Sequence, residues 1–120
     1  MNKKTLVLGA SLKLDRYSNY AIHKLVEKGV EVVAVGAVSG VVAGVKIDSE
    51  MKPFEGIHTV TLYLNPTNQK PYYDYIISLK PKRVIFNPGT ENPELYNLLN
   101  ENAIDFETAC SLVLLSTNQY

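Results

Sequence analysis

The sequence has no tryptophan, a single cysteine and two histidines among its 120 residues. With only Cys110 available, no intrachain disulfide can form, which fits a reducing, cytoplasmic setting. His23 and His58 stand alone, and no His/Cys grouping has the spacing of metal ligands, so no metal site is expected. Charge of one sign is also missing: twelve Lys and Arg balance twelve Asp and Glu. Nucleic acid and anionic membrane surfaces call for a clustered basic excess and are not expected partners; a local cationic pocket for a small anion remains open. No apolar run approaches the ~20 residues that a membrane helix needs. The chain enters a strand almost at once, so no signal peptide is expected.

What is present suits one globular domain over residues 1–120, with 46% hydrophobic and 20% charged residues. The chain is organised around Thr5 to Asn19. Thr5–Leu8 reads as a strand buried on both faces, Gly9 as a sharp turn, and Lys13 and Arg16 as part of a loop that leads into a helix. A strand running through glycine into a helix makes a phosphate-binding corner, because the helix presents free N–H groups and the positive end of its dipole. Ser18 or Asn19 is expected to cap that helix. Tyr20, Ala21, Ile22, Leu25 and Val26 form its expected sheet-facing stripe, and Gly29 ends it.

Glu31–Val35 is the next predicted strand. Gly36 to Gly44 reads as a loop, followed by an extended piece at Val45–Ile47 and a turn or short helix over Ser49–Phe54. Ile57–Leu64 is a strand stopped by Asn65-Pro66. Pro71 begins a helix that ends at Lys80-Pro81. Arg83–Phe86 is a strand, and Asn92 caps a helix over Pro93–Glu101 with proline in its first turn. A strand at Ile104–Glu107 and a short helix within Ala109–Leu115 complete the chain. This alternation implies an α/β fold: an open parallel sheet with helices on both faces. In such sheets ligands sit outside the carboxyl ends of the strands, where the strand order reverses. The loops Gly9–Ser18, Gly36–Gly40, Asn65-Pro66 and Asn87–Asn92 are the candidates there.

A dinucleotide is disfavoured on two independent counts. Of the three fingerprint glycines only Gly9 is present, with Ser11 and Leu14 in the other two places; and the second strand ends Val35-Gly36-Ala37-Val38 without an acid for the ribose. A Walker loop is absent. What remains is a wide loop with Ser11, Lys13, Arg16, Ser18 and Asn19, suited to a bulkier polyphosphate, which guanidinium grips with paired bonds. Read from the residues alone, an ordinary solvated loop stands equally open.

Four segments in order resemble the small stand-alone CoA-binding domain family: Gly9-Ala10-Ser11, Arg16-Tyr17-Ser18-Asn19, Asn87-Pro88-Gly89-Thr90-Glu91-Asn92-Pro93 and Ala109-Cys110-Ser111-Leu112. The family fold is similar to the Rossmann-like CoA-binding domain of the succinyl-CoA synthetase α subunit. The resemblance implies that Gly9, Ala10, Ser11, Lys13, Arg16, Tyr17, Ser18 and Asn19 hold coenzyme A phosphates, with Ser11 and Arg16 foremost. It implies that Gly36 lies beside the nucleotide, and that Asn65, Pro66, Asn87, Pro88 and Gly89 line the rest of the cleft. The chain departs from the family at Ala37 and Val38, where relatives often carry Asn-Pro or a glycine followed by basic residues, and at Asn87, where glutamine is common. The synthetase's phosphorylated histidine belongs to a second domain that this chain lacks, so no catalytic residue is carried over.

The expected function is non-catalytic binding of CoA or an acyl-CoA. The alternatives are an NAD(P)- or other nucleotide-binding enzyme, or an interaction module that no longer binds ligand. Cys110 reads as a small buried hydrophobe, or as a thiol near the CoA sulfur. Of Tyr63, Tyr72, Tyr73 and Tyr75, two or three are expected to pack helix on sheet; the minor alternative for one of them is to stack on adenine or flank the cleft. Glu91 and Glu94 are read as partners of a helix N-terminus.

Overall fold

Four short apolar runs form the middle of a seven-stranded sheet: β1 (Thr5–Ala10), β2 (Val32–Gly36), β5 (Thr59–Leu62) and β6 (Arg83–Phe86). With β3 (Gly40–Val42), β4 (Val45–Asp48) and β7 (Asp105–Thr108) the order is β3-β4-β2-β1-β5-β6-β7. Every pairing is parallel except β3 with β4. This is a computed structural model, and it describes residues 3–120.

The period of two along the strands divides the core between two faces. Leu6, Leu8, Val60, Leu62, Val84 and Phe86 meet Tyr75 and Ile76 of α3 (Tyr73–Ser78) and Leu95 and Leu99 of α4 (Pro93–Glu101). Val7, Ala34 and Ile47 meet Ile22 and Leu25 of α1 (Tyr17–Glu27) and Leu115 of α5 (Ser111–Ser116). The result is a single-domain, Rossmann-like α/β fold with helices on both faces. Among the described residues no helix is long and apolar enough to cross a membrane.

Several local expectations change. Arg16, not Ser18 or Asn19, is the N-cap residue of α1, and no side chain caps the helix. Ser18 and Asn19 are buried in its first turn, and Asn19 Nδ2 instead donates to the Ser11 carbonyl at 3.0 Å. The buried stripe shifts accordingly: Ser18, Asn19, Ala21, Ile22 and Leu25 face the core, while Tyr20 and Val26 are exposed. Gly29 ends the helix at positive φ, as expected.

Gly40–Val42, read as loop, is a strand. It forms a hairpin with β4 through Ala43 and Gly44, both at positive φ (50° and 78°), the geometry that a two-residue turn between twisted strands requires. Asn65-Pro66 does more than stop β5. Asn65 Oδ1 accepts from Asn68 N at 2.9 Å and caps a one-turn helix, α2 (Pro66–Gln69). Pro71 lies in a 3-10 turn (Lys70–Tyr72), and α3 starts after it. Ser49–Phe54 forms no helix. Asn92 caps α4 with Pro93 in the first turn, as expected.

Candidate functional site

The strand order reverses at β1, which has β2 on one side and β5 on the other. The chain leaving β1 turns towards α1 and the chain leaving β5 turns towards α2, so a gap opens between the two exits. The gap is a cleft of about 520 Å³. Gly9, Ala10 and Ser11 form its floor on the β1 side. Gly9 has φ +93°, and a Cβ there would sit 2.9 Å from the Tyr63 carbonyl carbon, so only glycine lets the two exits come this close.

One wall is the loop into α1, with Lys13, Arg16, Tyr17 and Ser18 on the cleft. Ser11 Oγ accepts from Lys13 N at 3.1 Å, and Leu12 lies over Gly40 of β3, where a Cβ would meet its Cδ2 at 2.6 Å. Because no side chain caps α1 and its first turn holds no acid, the positive end of the helix is open towards the cleft. Among the described residues neither Lys13 nor Arg16 forms an ion pair, and both are exposed.

The opposite wall is Tyr63, Leu64 and Asn65 after β5, and Pro88, Gly89 and Thr90 after β6. Buried amides hold it together. Gln69 Nε2 donates to the Leu64 carbonyl at 2.8 Å and to the Thr90 carbonyl at 2.7 Å, joining the two loops. Asn92 Nδ2 donates to Gln69 Oε1 at 2.9 Å and to Tyr73 Oη at 2.8 Å, and Tyr73 Oη donates to Glu94 Oε1. Burial pushes the Tyr73 pKa up, keeping this hydroxyl a donor. Asn87 Nδ2 donates to Thr61 Oγ1 and the Leu62 carbonyl, while its Oδ1 accepts from Ser111 N, which fixes α5 against the base of the wall. Glu91 accepts from Gly89 N at 2.8 Å and so shapes the loop tip.

Of the residues expected from sequence, Gly9, Ala10, Ser11, Lys13, Arg16, Tyr17, Ser18, Asn65, Pro88 and Gly89 all border this cleft. Asn87 lines a smaller adjoining hollow. Three do not reach the cleft surface. Asn19 is buried behind Ser11, Pro66 belongs to the first turn of α2, and Gly36 is buried where a Cβ would lie 2.1 Å from the Ala10 carbonyl oxygen. Gly36 thus serves the close approach of β2 to the end of β1. Ala37 takes the cleft position beside it, and Leu64 and Thr90 also border the cleft without having been singled out. Leu64 continues the alternation of β5 two residues past Leu62, a signal present in the sequence. Among the described residues no group of three His, Cys, Asp or Glu side chains is placed to hold a metal.

The family model of a CoA binding domain matches residues 3–116. The chain belongs to that family. Membership supports CoA binding in general. No curated protein matches. Among solved structures, a crystal structure of an uncharacterized protein is 50% identical with a TM-score of 0.96, covering 100% of this chain and 99% of its own. A protein from Pyrococcus horikoshii OT3 is 25% identical with a TM-score of 0.87, over 97% of this chain and 83% of that one. A Thermus thermophilus structure at 20% identity and TM-score 0.86, over 99% of this chain and 91% of that one, shares the fold.

Proposed function

We propose that the domain binds coenzyme A or an acyl-CoA, without catalysis, in the cleft between the exits of β1 and β5. The observation that carries the reading is the α1 corner: a helix N-terminus with no side-chain cap and two cations, Lys13 and Arg16, that have no acidic partner among the described residues. Phosphate oxygens supply the acceptors that the first-turn N–H groups lack, and the guanidinium of Arg16 adds paired charge-assisted bonds. Ser11 and Asn65 offer further hydrogen-bonding groups across the floor and the opposite wall. Ala37, at the tip of β2, carries no acid, so a 2′,3′-diol has no carboxylate to bind there.

Calorimetry with CoA, dephospho-CoA, NAD and ATP tests the reading. CoA is expected to bind tightest and NAD weakest. Arg16→Ala is expected to weaken CoA by about ten-fold, with a shallower salt dependence, because a hydrogen bond to a charged group is lost. A preference for NAD, or no heat with any of the four, would overturn it.

A further inference from the structure

The loop between β1 and α1 carries a leucine where a solvated loop would carry a polar residue. Leu12 stands between Ser11 and Lys13 and is 40% exposed. Ser11 and Lys13 border the cleft, whereas Leu12 does not. Successive side chains of an extended chain leave on opposite sides, and Leu12 lies on β3 instead. Its Cδ2, Cδ1 and Cγ come within 2.6, 2.9 and 3.2 Å of the place where a Cβ on Gly40 would stand. Gly40 is not among the glycines at positive φ, so its backbone does not ask for glycine. Inside a strand, glycine offers nothing to pack and marks the close approach of another group. Here that group is the leucine.

The seat under Leu12 is firm. Gly40 pairs with Ile47 of β4, and Ile47 and the nearby Val42 are buried together with Val7 and Ile22. β4 in turn pairs with Ala34 and Val35 of β2. The other ties of the loop are local. Asn19 Nδ2 donates to the Ser11 carbonyl, Lys13 N to Ser11 Oγ, and Arg16 N to the Lys13 carbonyl. These bonds stay within residues 11–19, so they shape the loop without fastening it to the β3–β4 hairpin. We infer that Leu12 and Gly40 are positioning residues for coenzyme A: the leucine seated on the glycine holds Ser11 and Lys13 facing the phosphates. The inference rests on CoA occupying the cleft. Without the seat the loop has to be ordered at the moment of binding, and affinity falls although no group bordering the cleft is removed.

Calorimetry with CoA on four variants tests this. Leu12→Ala is expected to weaken CoA by about five-fold, the cost of ordering a few loop residues. Leu12→Met, which keeps the apolar reach, is expected to recover most of the loss. Gly40→Ala sets a methyl group against the end of the leucine side chain rather than against backbone, so the hairpin is kept. Its thermal midpoint is expected to be unchanged or higher, because alanine loses less freedom than glycine in a strand, while CoA again weakens by about five-fold. Once Leu12 is alanine the clash is gone, so adding Gly40→Ala is expected to change the affinity little; the two losses do not add. Leu12→Ala and Gly40→Ala are each also expected to show a shallower fall of affinity with salt, because Lys13 no longer faces the phosphates. A change in packing alone would leave that slope untouched. If the wild-type protein binds CoA while Leu12→Ala keeps its Kd and salt dependence, or if the two losses add, the leucine does not position the loop and the cleft reading stands. If the wild-type protein gives no CoA binding at all, both readings fall.

Discussion

Asn87 makes three buried contacts at once, to Thr61 Oγ1, the Leu62 carbonyl and Ser111 N, and thereby ties β5, β6 and α5 together beneath one wall of the cleft. Asn87→Ala leaves those partners without it in a buried setting and is expected to cost about 2–4 kcal/mol, read as a lower urea midpoint at unchanged m-value. His58 reports on the other end of the sheet. Partial burial, then the charges of Arg83, Lys3 and Lys82, lower its pKa from 6.5. The unfolded chain therefore takes up the proton first as pH falls. Stability from this group is fully present above about pH 6.5 and declines below it, towards the folded pKa. Thermal melts stepped down through that window are expected to show a falling midpoint, with a shallower slope in His58→Gln. At this scale some roles were visible in the sequence and others were not. Gly9 announces itself by following an apolar run, whereas Gly36 is required by the backbone of Ala10, a neighbour across the sheet that no local pattern names.

Two helices of the cleft wall start on asparagine followed by proline, yet the two caps are not equivalent. Asn65 is exposed and, among the described residues, its side chain bonds only Asn68 N, whereas the Asn92 side chain is buried, accepts from Leu95 N and also donates to Gln69 and Tyr73. Asn65→Ala is expected to cost about 1 kcal/mol. Asn92→Ala should cost at least twice that, as it strands buried partners; equal losses in denaturant melts would count against the amide network. Element existence followed apolar periodicity closely for β1, β2, β6, α1 and α4. The β3–β4 hairpin escaped because its turn carries Ala43 at positive φ, where asparagine or aspartate would have marked it. The first turn of α1 escaped because its buried residues, Ser18 and Asn19, are polar and are used to position the Ser11 loop.

Across the whole molecule the sheet has two edges, β3 and β7, and β7 displays the exposed Asp105 and Glu107. Charges on an edge strand discourage pairing with another chain. Asp105→Val is expected to raise light scattering on prolonged incubation while leaving the near-ultraviolet circular dichroism unchanged. The strand-and-helix alternation was enough to place the ligand-side loops at one end of the sheet. It did not reveal which loops face each other, because that depends on β5 docking beside β1 rather than beside β4. That docking has a consequence for how the protein is made. A ribosome that has released the chain only as far as Asp48 has delivered the whole α1 corner and its two cations, but one bank of the cleft alone. The other bank arrives with Tyr63–Asn65 and is completed with Pro88–Thr90. A ligand spanning both banks therefore selects chains in which β5 and β6 have already taken their places, and its binding reports completed assembly rather than the corner's own order.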